Sequence, residues 1–280
     1  MALLTLPRGG AVRRLAAAIA LAVGVSVMTG VSAPAMAGAD YQQPKQGSCH
    51  KLTVKQLLAQ SAPNKSVRCG SRGVTSVTVK VAQVPTGYSW DDVDATWEVI
   101  GPGCIRAANA RLGRTAKKRA MSAFELGVWI PNATQRSHGA NWYRCDVLVW
   151  RGNALTPLTR TKRPMLGAKV PDHQRFCMTR GFYKTSCDAA HMWRITAAVK
   201  LSGSSYPADI GSAANAACAG KITTSKGRLL YPSEEQWAAG FRFVRCFNKQ
   251  KKGTGGLAKV VGRSAAPGVL GREVGVVSNP

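Results

Sequence analysis

One skeleton occurs twice in this chain. Pro131 to Cys145 reads "PNATQRSHGANWYRC", and Pro232 to Cys246 reads "PSEEQWAAGFRFVRC". The two coincide at Pro131/Pro232, Gln135/Gln236, Gly139/Gly240, Trp142/Phe243, Arg144/Arg245 and Cys145/Cys246. A second block matches when Cys69 is set over Cys187: Val77 then meets Ile195, Thr78 meets Thr196 and Val81 meets Val199. Each half also carries four cysteines in the same order. Cys49, Cys69, Cys104 and Cys145 form the first set, and Cys177, Cys187, Cys218 and Cys246 the second. A duplicated cysteine frame restricts the chain to two small units of one design.

Eight cysteines allow roughly a hundred pairings. Units that each close on themselves with one shared pattern leave three. We favour first to second and third to fourth: Cys49–Cys69, Cys104–Cys145, Cys177–Cys187 and Cys218–Cys246. Each pair then absorbs its own change in loop length between the copies. Units this small hold small cores and lean on such bridges.

Disulfides imply an oxidising compartment, and the N-terminus agrees. Arg8, Arg13 and Arg14 precede an apolar run, "LAAAIALAVGVSVM", and Ala35-Met36-Ala37 has the form of a cleavage site. Residues 1–37 therefore read as a secretory signal peptide. An uncleaved anchor is the competing reading. Zinc competes for the cysteines, but C-x-x-C pairs are missing. We expect no metal and no cofactor.

The chain has 39 Lys and Arg against 13 Asp and Glu, a net charge of +26. Loss of the three arginines in residues 1–37 lowers it to +23. Such a surface attracts polyanions without a dedicated site. Outside the cell these are anionic wall polymers, anionic membrane surfaces, acidic envelope proteins and extracellular DNA; intracellular nucleic acid is not an expected partner. An Arg-rich, Ala- and Gly-rich composition is the bland explanation of the same charge.

The periodicities predict an α+β fold with two duplicated, disulfide-stapled units, each a mainly antiparallel sheet with short helices. "VTSVTVKVAQV" alternates, which places Val77, Val79 and Val81 on one strand face. Ser89, Asp91 and Asp92 open a helix. "GCIRAANARLG" reads as a separate short helix carrying Cys104, and "DIGSAANAACAG" as its counterpart with Cys218. In "PSEEQWAAG", Ser233 caps, Gln236 completes a capping box and Gly240 ends a short helix; Asn132 is the cap in the first copy. Residues 38–46 form a mature N-terminal segment, 47–150 the first unit, 151–174 a Pro-rich basic linker and 175–247 the second unit. Residues 248–280, with glycines and lysines and no aromatic, read as a disordered tail.

These motifs resemble those of exported or membrane-anchored actinobacterial proteins with septum formation-related domains. Their units show G-x-C, then C-x-x-x-H before a strand, a middle cysteine and P-[ST]-x-x-Q-x-x-x-G-x-x-W-x-R-C. Gly47-Ser48-Cys49 matches the start. Cys187 and His191 match the second element, where the first unit has Gly73. Pro232, Ser233, Gln236, Gly240, Arg245 and Cys246 match the last, with Phe243 for Trp, and Pro131, Gln135, Gly139, Trp142, Arg144 and Cys145 match it in the first unit. The resemblance spans residues 47–247 and implies a link to cell division without naming a reaction.

Candidate sites are few. A Cys187/His191 nucleophile needs a free thiolate, which a fully paired set denies. Asp91, Asp92 and Asp94, like Glu234 and Glu235, are explained as helix starts, although the first cluster is where a wall-acting hydrolase would have to work. The sequence lacks a G-x-S-x-G elbow, and "GTGG" neither follows a strand nor opens a helix. Arg144 and Arg245 point away from Cys145 and Cys246; each is expected to pair with a carboxylate such as Asp146 or Glu234, or else to face an anionic ligand. Trp142 and Trp237 read as core rather than sugar platforms, and His191 as structural. The reading is a secreted, non-enzymatic cell-envelope protein, septum-associated, that binds anionic polymers or protein partners. The alternatives are a wall hydrolase and a secreted polyanion or nucleic-acid binder.

Overall fold

A computed structural model describes residues 38–59, 61, 65–85, 93–250 and 276–278. The signal segment, Ser89, Asp91, Asp92 and most of the tail lie outside the described residues. The first copy runs β1 (Cys49–His50), α1 (Val54–Leu57), β2 (Ser76–Gln83), α2 (Val93–Leu112), α3 (Ala116–Ala120), β3 (Phe124–Trp129), α4 (Ala133–Ser137), β4 (Trp142–Arg151) and β5 (Ala154–Leu155). The second runs β6 (Phe176–Met178), β7 (Lys184–Ser186), β8 (Trp193–Lys200), α5 (Ile210–Cys218), β9 (Arg228–Leu230), α6 (Glu234–Ala238), β10 (Phe243–Lys249) and β11 (Val276–Ser278).

The result is α+β with two antiparallel sheets. The first has the order β1-β2-β4-β3, with β5 on β4, and the second β11-β9-β10-β8-β6-β7. The series β1-β2-β4-β3 and β6-β8-β10-β9 are the same path. Even the small pairings repeat: Cys49 faces Val67 across a single bridge as Cys177 faces Thr185 in β7. All eight cysteines pair as favoured from loop lengths, Cys49–Cys69, Cys104–Cys145, Cys177–Cys187 and Cys218–Cys246. In each unit a helix carrying the third cysteine is tied to one face of the sheet. The capping boxes form: Gln135 N–H donates to Asn132 Oδ1 at 2.8 Å, and Gln236 N–H donates to Ser233 Oγ at 3.3 Å. Gly139 and Gly240 both take φ +86, the left-handed turn that ends the helix cheaply only for glycine.

The register corrects two expectations. Val77 stands opposite Val147, but Val81 stands opposite Arg144, because the ladder slips between Thr78 and Lys80. Val147 and Arg144 are three residues apart and so face opposite ways, which places Val77 and Val81 on different faces. The bulge reverses the alternation mid-strand. The copies also align one residue off the cysteine-based match. Cys49 pairs with Val77 and Cys177 with Arg194, so Val77 corresponds to Arg194, and Thr78 rather than Val77 corresponds to Ile195.

The helix expectation also changes. α2 is continuous through Gly101-Pro102-Gly103. An interior proline sacrifices about 3 kcal/mol. Ile100, Cys104, Ala108 and Leu112, four residues apart, form a stripe buried on the sheet, and the Cys104–Cys145 bridge holds it there. Packing outweighs the breaker. Gly101 is needed where it stands, since a Cβ would lie 2.7 Å from the Trp97 ring.

The linker is not a tether. Met165 and Leu166 are fully buried in the first unit's core, with Val170 beside them. Beyond it, Ala120 of α3 packs against Ala198 and Phe243 of the second sheet. The described residues accordingly form one compact unit. Past the expected boundary at 247, β10 continues to Lys249, and residues 276–278 pair with β9. The β9 edge offers backbone groups that an extended segment satisfies whatever its composition.

Candidate functional site

The basic residues are concentrated where α2 ends. Gly113 (φ +67) and Arg114 (φ +60) turn the chain out of the helix. A Cβ at Gly113 would meet the Pro164 Cβ at 2.6 Å, so the linker lies directly on this turn. Its backbone is bonded there: Met165 N–H donates to the Arg111 carbonyl at 3.2 Å, and Leu166 N–H to that of Leu112 at 3.1 Å. This fold-back sets two acid-free stretches side by side. No Asp or Glu occurs from Val99 to Phe124 or from Val147 to Pro171.

The side chains there bond carbonyls in place of carboxylates. Arg111 Nη2 donates to the Thr161 carbonyl at 2.6 Å, Lys118 Nζ to Ala168 at 2.5 Å, and Arg119 Nη1 to Arg114 at 2.6 Å. Burial pulls the Arg111 and Arg119 guanidiniums below their ordinary range. Partial desolvation is the cause. Around them Arg114, Lys117, Arg160, Lys162, Arg163 and Lys169 are exposed. Fixed backbone and clustered exposed cations make this a strongly cationic face.

The side chains singled out from sequence lie elsewhere, and most are structural. Arg144 is fully buried. Its Nε donates to Asp146 Oδ1 at 2.7 Å and its Nη2 to Oδ2 at 2.5 Å, and its guanidinium lies 5.0 Å from the Trp129 ring centroid. It presents no charge to solvent. Arg245 is half-buried, 5.2 Å from the Phe176 ring centroid and 4.7 Å from that of Phe241. Trp142 is core, its Nε1 donating to the Tyr41 carbonyl at 3.0 Å; Trp237 is core, donating to Ser204 at 3.2 Å. His191 is buried with Nδ1 2.7 Å from the Ala189 carbonyl, and Cys187 is bridged to Cys177. Among the described residues no group of three His, Cys, Asp or Glu side chains is placed to hold a metal.

Sequence reasoning overlooked a polar network on the Arg144 face of the first sheet. Ser76 Oγ donates to Asp146 Oδ2 at 2.8 Å. His50, 1% exposed, places Nε2 2.9 Å from Ser48 Oγ and 3.1 Å from Thr78 Oγ1, and Nδ1 3.0 Å from the Lys65 carbonyl. Burial first, and then the nearby Arg144 charge, push the imidazole below its ordinary value; Asp146 and the Lys65 carbonyl act the other way. The signal was present in the alternation. With Cys49 turned to its bridge, Ser48 and His50 must share the other face.

No protein-family model, no curated protein and no solved structure matches this chain.

Proposed function

We propose that this is an extracytoplasmic protein of the cell envelope that holds anionic envelope polymers on its cationic face. Four disulfides point to an oxidising environment. The observation that carries the reading is the fold-back of the linker onto the end of α2, which joins two acid-free basic stretches into one rigid surface. The resemblance of Gly47 to Cys49, Cys187 with His191, and both Pro-to-Cys motifs to septum formation-related domains supports a place at the division septum. Phosphate-bearing polymers suit Arg and Lys on fixed backbone.

The test is retention of the mature protein on purified wall fractions at low and high salt. Binding should fall steeply with salt, with a log–log slope of roughly one per phosphate neutralised. Arg114→Gln, Lys117→Gln, Arg160→Gln and Arg163→Gln together should flatten that slope. Absence of retention at low salt defeats the reading.

A further inference from the structure

The second copy acts as a control for the polar network in the first. Ladder register makes Phe176 the counterpart of Ser48, Met178 of His50, Trp193 of Ser76, Ile195 of Thr78 and Phe247 of Asp146. The same strands with the same bridges therefore fold around an apolar layer, in which Phe176, Met178, Trp193, Ile195 and Phe247 form one buried cluster. The scaffold does not require polar groups at these positions. Replacing buried ion pairs by apolar side chains is often neutral or stabilising. The first copy keeps a buried histidine against two hydroxyls where a methionine serves in the second, and this calls for a role besides packing.

We propose that Ser48 is an activated serine that accepts an acyl group from an ester, with His50 as its base. The Lys65 carbonyl can only accept a hydrogen bond, so His50 carries its proton on Nδ1 and turns the Nε2 lone pair toward Ser48 and Thr78. The arrangement has the two contacts that a nucleophile of this kind requires: nucleophile to base at 2.9 Å, and base to an orienting acceptor at 3.0 Å. The Ser48 hydroxyl has one proton and three acceptors within reach, the Lys45 carbonyl at 2.6 Å, Nε2 at 2.9 Å and Thr78 Oγ1 at 3.2 Å; in the reaction the proton goes to Nε2. Ser48 Oγ then bonds to the ester carbonyl carbon, the bond to the alcohol oxygen breaks, and the departing alkoxide takes the proton from Nε2. Water attacks the acyl-serine by the reverse proton path. Ser48 is half-buried, unlike His50, and so is the member of the network that an outside molecule reaches. Lys45, Lys51 and Lys65 stand exposed in the flanking chain, a setting that suits esters of anionic alcohols.

The full chain, with its four disulfides intact, is treated with p-nitrophenyl acetate and, separately, with a fluorophosphonate, and adducts are mapped by mass spectrometry. The expected result is a nitrophenolate burst of one equivalent and an adduct on Ser48. The rate should rise with pH as the imidazole loses its proton. The charged groups nearest the ring are Arg144 and Asp146, which face each other as an ion pair. Ser48→Ala should abolish both signals. The pair His50→Met and Thr78→Ile, which installs the second copy's residues, should keep the fold by circular dichroism and slow labelling by roughly 100-fold or more. Labelling absent from Ser48 in the native protein, or undiminished in the folded double variant, overturns the proposal.

Discussion

The two copies agree on one face of their sheets and differ on the other. On the cysteine face both lay a helix over the sheet and tie it down, α2 through Cys104–Cys145 and α5 through Cys218–Cys246. On the other face the first copy buries Arg144, Asp146, Ser76, Thr78 and His50, and the second buries Phe247, Trp193, Ile195 and Met178 around a half-buried Arg245. The lesson concerns what the Arg-Cys pair specifies. Cysteine sets the bridge in both copies. Arginine takes whatever shares its face: a bidentate carboxylate two residues along the same strand in one copy, two aromatic rings in the other. What covers the face differs too. Leu52, Leu57 of α1 and Leu155 of β5, all from the first copy itself, close it, with Trp129, Leu148 and Trp150. In the second copy Met121, at the end of the first copy's α3, packs against the apolar layer.

The largest effect should come from breaking the buried pair. Asp146→Ala leaves Arg144 uncompensated at zero exposure and should cost about 3–5 kcal/mol in a denaturant titration. Arg144→Met with Asp146→Leu removes both charges and should cost far less, since the second copy shows that the sheet accepts an apolar layer. Equal losses for the two variants would break the comparison.

A smaller effect should appear with pH. His50 is held below its ordinary pKa of 6.5 in the fold. The unfolded chain therefore binds the proton more readily, so this contribution is fully present above pH 6.5 and is lost as pH falls toward the folded value. His50→Met should remove that part of the acid sensitivity in urea midpoints measured between pH 7.5 and 4. An unchanged profile would separate acid sensitivity from the first copy's network.

The smallest concerns the second copy's exposed pair. Arg194 Nη2 donates to Asp172 Oδ1 at 2.6 Å, and this hydrogen bond leads the causes that hold the Asp172 carboxyl below its ordinary value. Its stabilisation is present above the unfolded carboxyl's pKa and is lost as pH falls through the folded one. The Asp172 side chain is 51% exposed, so Arg194→Ala should cost no more than about 1 kcal/mol at neutral pH and less in high salt. A larger loss would mark this contact as more than a surface ion pair.

Much of the fold was legible locally. Ser233 with Gln236, Asn132 with Gln135, and the two closing glycines are self-contained signals, because capping involves residues three apart and a left-handed turn selects glycine. The bridges were legible because duplication removes most pairings. The face of Val81 and the separate helix at Cys104 were misread for physical reasons: a bulge is set by the partner strand, and the penalty of Pro102 inside α2 is outweighed by a stripe of buried residues that only the sheet supplies. Arg144 beside Asp146 could be guessed from their adjacency on one strand face, but its complete burial could not.

The candidate sites divide along the same line. The sequence by itself determined that the chain is duplicated, bridged in a set order, α+β and strongly basic, since those properties rest on spacing, count and local pattern. Tertiary structure alone decided that the linker folds onto α2 to join two acid-free stretches, and that Thr78 and the Lys65 carbonyl come to the Ser48–His50 pair. Such meetings depend on register and loop closure between residues far apart in the chain, which no local pattern encodes.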